Sequence, residues 1–208
     1  FESDITVRFG SLEFVRGDWL RYKLSLDPLE SNDQDALDTT AFDQEALNVY
    51  EDSNRTPIPY VMPPGVYREQ VYVNNTVIDE NEQSLSLTVA GTGLEAGDSR
   101  AVFKNVSIDM RQYKNINMFM HAESLPAGKG EELKDSEMAG FVRFGNDLTE
   151  NFYQIELPLE VTPPGSITAD AIWPSVNNIQ VAMDLLTQAK LKLIASKIIL
   201  APGEIFYI

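Results

Sequence analysis

Short segments in which apolar and polar residues alternate recur through the chain, separated by glycine- or proline-containing turns. Residues 18–26 and 84–89 alternate in this way, and residues 115–122 are apolar on both parities. Residues 138–144 and 151–161 predict a hairpin that turns at Gly145-Asn-Asp. Period-two alternation is typical of strands with one buried face, and repeated short strands favour an antiparallel arrangement. We therefore expect a mainly β protein, folded as a single antiparallel β-sandwich domain.

The segment 27–52 departs from this pattern, because it holds nine Asp or Glu residues and no Lys or Arg. Sparse apolar residues without a sustained period predict a solvated acidic insertion, with a short helix around residues 42–49. Clustered carboxylates also suit Ca²⁺, which takes several oxygen ligands, although the spacing does not match an EF-hand loop. We expect no cofactor, and a structural calcium ion in this segment is the alternative.

Four prolines within eight residues mark the next segment, a proline-rich arm over residues 54–69. Proline fixes φ and removes a backbone donor, so this arm is extended and is not a regular central strand. It either lies along its own domain or docks on a partner. The candidate partner-contact residues are Pro57, Ile58, Pro59, Tyr60, Val61, Met62, Pro63 and Pro64.

The last segment changes to a helical period. Residues 177–199 predict one C-terminal amphipathic helix, with Asn177 or Asn178 as its N-cap. Its apolar stripe comprises Ile179, Ala182, Met183, Leu186, Ala189, Lys190 and Leu193. We expect this stripe to pack on the sandwich.

The charge and the residue inventory exclude several classes of function. The net charge of −16 repels phosphate, so we expect no nucleic-acid binding. No apolar run approaches the roughly 18–20 residues that a membrane helix needs, so we expect no direct membrane insertion by this segment. The absence of cysteine excludes disulfides and thiolate chemistry, and one histidine removes most histidine-based metal sites. His121 lacks a second His, a Cys or a nucleophile elbow in the sequence, which favours a structural role. We therefore expect the protein not to be an enzyme.

Exposed aromatic side chains would indicate a different function, because β-sandwich carbohydrate modules stack sugars on such rings. The candidate glycan-stacking residues are Trp19, Tyr113, Tyr153 and Trp173. Core or edge packing of these rings is the competing interpretation.

Several ordered motifs together resemble one known family. They lie at residues 12–19, 54–65, 81–85, 97–101, 109–113, 118–123, 142–145 and 151–153 and at Trp173-Pro174. The series resembles the SprA/Sov proteins, the outer-membrane translocon of the type IX secretion system of Bacteroidetes, also called the gliding-motility cell-surface protein. The stretch from residue 107 to 159 is also similar to the galactose-binding-like jelly roll.

The resemblance implies a non-catalytic structural or interaction domain that supports export of cargo proteins and gliding motility. It implies a soluble segment of a much larger protein, on the periplasmic or extracellular side of the outer membrane. The implied partners are the remainder of the translocon barrel, other type IX secretion subunits and secreted cargo. A carbohydrate-binding module on a jelly-roll scaffold remains the alternative.

Overall fold

The computed structural model describes residues 19–22, 26, 40–73, 76–125, 132–148, 151–200 and 206. The strands are β1 (Leu20–Tyr22), β2 (Ala41–Asn48), β3 (Gln70–Val73), β4 (Thr76–Asp79), β5 (Gln83–Ala90), β6 (Ala101–Phe103), β7 (Asn115–Met118), β8 (Ala139–Gly145), β9 (Phe152–Pro158) and β10 (Ile179–Ala182). The α-helices are α1 (Val49–Asp52), α2 (Ala169–Ile172) and α3 (Met183–Ser196), with short 3₁₀ turns at Met110–Gln112 and Ser175–Asn177.

The strands form antiparallel pairs: β1 with β6, β2 with β5, β3 with β4, β7 with β10 and β8 with β9. The mainly β, antiparallel prediction is therefore confirmed, including the hairpin of β8 and β9. Each sheet in the described ranges has two strands, so the closed jelly-roll sandwich stays a prediction.

The predicted helix at residues 42–49 is wrong, because β2 occupies residues 41–48 and pairs along its whole length with β5. Side chains alternate in β2: Phe42 is buried, whereas Asp43 and Glu45 point to solvent. Asp43 and Glu45, two of the nine acids that suggested an insertion, thus lie on the exposed face of a strand. Residues 27–39 of the acidic segment lie outside the described residues.

Helix α1 follows β2 directly and begins at Val49. The Asn48 side-chain oxygen accepts from the N–H groups of Tyr50 and Glu51, at 3.0 and 3.1 Å. An asparagine that satisfies two free N–H groups is a strong N-cap, and it fixes the point where the strand becomes α1.

The predicted C-terminal helix is present but shorter than residues 177–199. Ile179–Ala182 forms β10 instead, because its backbone pairs with β7, and Ala182 rather than an asparagine is the N-cap of α3. Asn177 is buried and hydrogen-bonds both backbone groups of Glu160 at 2.8 Å, so its side chain is engaged away from the helix.

Part of the predicted stripe is visible on α3. Met183, Leu186, Ala189 and Leu193 are half-buried, whereas Leu191 and Ile194 are exposed. No described residue of α3 is fully buried, and packing of the stripe on a sandwich stays a prediction. None of the helices in the described ranges combines the length and the apolar character that crossing a bilayer requires.

A buried apolar cluster lies where the arm meets α2. Ile58 and Tyr60 of the arm and Ile172 and Trp173 at the end of α2 form this buried cluster. The half-buried side chains of Leu47, Val49, Val61 and Phe119 pack around it.

Candidate functional site

The proline-rich arm lies on its own domain. Ile58 and Tyr60 are buried, and Trp173 donates its indole N–H to the carbonyl of Val61 at 2.8 Å. The rings of Tyr60 and Trp173 meet edge to face, with centroids 6.3 Å apart. Such contacts stabilise an aromatic pair beyond its burial. The arm is therefore an anchored strap that lies along its own domain, the first of the two alternatives, and its role in contacting a partner stays a prediction.

The predicted partner-contact residues differ in accessibility along this strap. Ile58, Tyr60 and Pro63 face the interior, so a partner cannot reach them without displacing the arm. The half-buried residues are Pro57, Pro59, Val61, Met62 and Pro64.

An ionic clamp fixes the start of the arm. Arg55 donates from Nη1 to Glu123 Oε2 at 2.9 Å and to the carbonyl of Ile58 at 3.0 Å, and its Nη2 contacts the other carboxylate oxygen. A bidentate guanidinium–carboxylate pair is strong and directional. The hydrogen bond to Glu123 also raises the pKa of Arg55 above its ordinary value.

His121 completes the clamp. Its Nε2 lies 3.2 Å from Glu123 Oε2, its Nδ1 lies 2.7 Å from the carbonyl oxygen of Ile172, and its ring packs against Trp173 at 5.8 Å. Burial alone would raise the pKa of Glu123, but hydrogen bonds from His121 and Arg55 and their charges lower it to about 2. Glu123 is thus held as a carboxylate that joins the arm to α2. These contacts agree with the structural role expected for His121.

The strap leads directly into the hairpin of β3 and β4. A turn closes it, with Val66 N–H donating to Pro63 O at 3.1 Å and Gly65 at a φ of 78°. This is the geometry of a type II turn, which requires glycine at its third residue, and it follows from the Pro-Pro-Gly sequence.

Contacts at the base of the β3–β4 hairpin hold both of its ends. Arg68 pairs with Asp79 at 3.2 Å and lies over the Tyr50 ring, 5.2 Å from its centroid. In the segment that follows β4, the Glu82 carboxylate accepts a hydrogen bond from the Tyr60 hydroxyl at 2.7 Å. Burial is the main reason that the pKa of Tyr60 lies above its ordinary value, so this donor stays protonated.

Exposed apolar side chains cover both faces of this hairpin. Val71 lies opposite Ile78 on one face, and Tyr72 lies opposite Val77 on the other. All four are exposed, and Tyr72 has 75% of its surface accessible. We call these four residues the hairpin surface.

The hairpin surface was not among the sites predicted from the sequence. Its signal was present, because two runs rich in β-branched residues and tyrosine flank Asn74-Asn75, and asparagine is common in tight hairpin turns.

The candidate glycan-stacking residues differ in their exposure. Trp173 is only 7% exposed and belongs to the buried cluster, so the competing interpretation of core packing applies to this ring. Trp19, Tyr113 and Tyr153 are exposed. Tyr113 lines a groove, beside Lys114, Met183, Asp184 and Thr187.

No three Asp, Glu or His side chains in the described ranges lie close enough together to hold a metal ion. Because residues 27–39 lie outside those ranges, a calcium ion in the acidic segment stays a prediction.

The clamp unites three of the sequence motifs that are far apart along the chain. Arg55 and Tyr60 come from the motif at 54–65, His121 and Glu123 from 118–123, and Trp173 from the last motif. The family model described as motility related/secretion protein, the SprA N-terminal family, matches residues 1–199. The chain belongs to the SprA family. Among curated proteins, none matches the sequence.

Membership of the SprA family relates the chain to motility and secretion. The family that the ordered motifs suggested is thus confirmed.

Proposed function

We propose that this SprA-family segment is a non-catalytic interaction domain of the type IX outer-membrane translocon, and that its hairpin surface docks on another part of that machinery. In this role it supports export of cargo proteins and gliding motility. It is associated with the outer membrane, on the periplasmic or the extracellular side. Family membership supports the relation to secretion and motility, and the finer role is our inference.

The observation that carries the proposal is the hairpin surface itself. A two-stranded hairpin is marginal in water unless it packs against something. Strands that are apolar on both faces are typical of strands covered on both sides. Val71, Tyr72, Val77 and Ile78 therefore have the side chains of an interior hairpin in an exposed position.

The clamp and the strap give the hairpin surface a fixed position. Arg55 and Glu123 anchor the start of the arm, Trp173 holds its middle, and Arg68 and Glu82 hold the two ends of the hairpin. A docking element that is already ordered loses less conformational entropy when its partner binds. This gives a reason for a half-buried ionic clamp at the start of the strap that leads into the exposed hairpin.

The net charge of the chain and the small area of the hairpin surface indicate the kind of partner. A second copy would bring another −16 charge, which opposes self-association. Four apolar side chains form a patch well below the area of about 800 Å² per partner that stable free complexes bury. A small patch suffices when partner and domain are tethered at high effective concentration. We therefore propose a strand of the remaining translocon barrel as the partner, ahead of other subunits or secreted cargo.

The contacts of the only histidine support the non-catalytic part of the proposal. His121 uses both ring nitrogens in the clamp, and Glu123 accepts from Arg55 at both carboxylate oxygens. A general base needs a lone pair that is directed at a substrate. The ring nitrogens of His121 and the carboxylate oxygens of Glu123 are instead directed at other groups of the same domain.

The test places a charge on the hairpin surface in the full-length protein in its host. In Tyr72→Glu, we expect normal abundance in the outer membrane but loss of cargo export and of gliding. Ile167→Glu is the matched control, because Ile167 is 73% exposed and lies outside the hairpin. Normal export by both variants at equal abundance would overturn the proposal.

A further inference from the structure

A solvent-open groove lies between the two residues that precede β7 and the first turns of α3. Tyr113 and Lys114 form one wall, and Met183, Asp184 and Thr187 form the other. The backbone N–H of Met183 donates to the carbonyl of Lys114 at 2.8 Å, so the two walls are joined at their base. The groove has a volume of about 430 Å³, which lies in the range of small-ligand sites.

The lining combines one flat ring with polar groups of both kinds. Tyr113 is 55% exposed, so its ring is open to a ligand. Lys114 supplies donors, Thr187 a hydroxyl and Asp184 a carboxylate. The Asp184 carboxylate is oriented by the side-chain amide of Gln188, which donates to Oδ2 at 2.7 Å.

These features exclude other ligand classes. A single carboxylate is too few for a divalent cation, which takes several oxygen ligands. An anionic ligand would meet Asp184 and the net charge of −16. A purely apolar ligand would cover Lys114 and Asp184 without pairing them, which costs free energy.

We propose that this groove binds a neutral saccharide that carries an N-acetylated amino sugar. The apolar face of the sugar ring stacks on Tyr113, and Asp184 and Lys114 hydrogen-bond its hydroxyl groups. The acetyl methyl group packs on the Met183 side chain, whose flexible thioether adapts to small apolar groups. The groove shares no residue with the hairpin surface, so its test is independent of the proposed docking role.

The probe is chitotriose, the trimer of N-acetylglucosamine, titrated into the full chain and followed by saturation-transfer NMR. We expect binding by the unaltered chain, with transfer to the acetyl methyl groups, and an affinity at least about tenfold lower for Tyr113→Ala. Tyr67→Ala is the control, because Tyr67 is 84% exposed and does not line the groove. It should bind chitotriose like the unaltered chain.

Two results would overturn the proposal. One is the absence of binding by the unaltered chain at about 10 mM chitotriose, a concentration at which even weak specific sites fill. The other is equal binding by Tyr113→Ala, which would place any sugar elsewhere. Cellotriose, which lacks acetamido groups, should bind at least about tenfold more weakly. Equal affinity for the two trisaccharides would refute the N-acetyl assignment.

Discussion

The clamp makes a quantitative prediction for Glu123→Gln, which removes one charge with little change in shape. The pKa of Glu123 is about 2 in the folded protein, against an ordinary value of 4.5. This difference of about 2.5 pH units corresponds to about 3 kcal/mol of stability at neutral pH. Because the Arg55 side chain is 29% exposed and Glu123 is 17% exposed, solvent weakens the pair, and we expect a loss of about 2–3 kcal/mol.

The assay is urea unfolding of the unaltered chain and Glu123→Gln at neutral pH, supported by thermal melts. For a chain of this length, about 2–3 kcal/mol lowers the melting temperature by roughly 5–10 °C. Glu137→Gln is the control, because its pair with Lys134 spans 3.9 Å between largely exposed side chains. That variant should lose less than about 0.5 kcal/mol.

The pH dependence gives an independent check on the same residue. Since the pKa of Glu123 is lowered on folding, its contribution is complete above about pH 4.5 and is lost as the pH falls towards 2. The stability difference between the unaltered chain and Glu123→Gln should therefore shrink below pH 4.5, to roughly half its neutral value by pH 3. A difference that stays constant from pH 7 to pH 3, or no difference at neutral pH, would refute the clamp.

The core contacts give three further predictions, each measured by urea unfolding. Trp173→Ala should cost about 3–5 kcal/mol, whereas Trp19→Ala, at an exposed position, should cost less than about 1 kcal/mol; equal costs would contradict the buried position of Trp173. Tyr60→Phe should lose about 1 kcal/mol, because Glu82 loses its buried donor; an unchanged midpoint would show that this hydrogen bond adds no stability. Asn177→Ala should lose about 2–3 kcal/mol by leaving two backbone groups unpaired, and a loss below about 0.5 kcal/mol would contradict their burial.

Local pattern was sufficient for the elements that depend on neighbouring residues. The alternation over 84–89 and the turn after Gly145 predicted β5 and the hairpin of β8 and β9, because adjacent strands pair through short turns. The half-buried side of α3 follows the predicted 3.6-residue period for the same reason.

Long-range pairing decided the elements that were predicted wrongly. Residues 42–49 were predicted as a short helix, and only the ladder with β5 makes residues 42–48 a strand. Residues 179–182 fit a helical stripe, but pairing with β7 takes them into β10. Local propensity is a weak prior that such contacts override.

The sequence pattern could not predict the clamp, although the clamp residues lie in the family motifs. Arg55 and Glu123 are 68 residues apart, and neither motif by itself names the other as its partner. Burial of Trp173 likewise depends on where the strap crosses α2. A tryptophan beside a proline gives no signal of whether its ring is core or surface.

The docking role of the hairpin surface is the central claim, and site-specific photo-crosslinking tests it most directly. A photoreactive phenylalanine replaces Tyr72 in the full-length protein in living cells, with position 167 as the control, and crosslinked peptides are identified by mass spectrometry. We predict crosslinks from position 72 to a strand of the remaining translocon and none to that strand from position 167. Equal labelling from both positions, or labelling from position 72 by abundant unrelated proteins only, would contradict the claim.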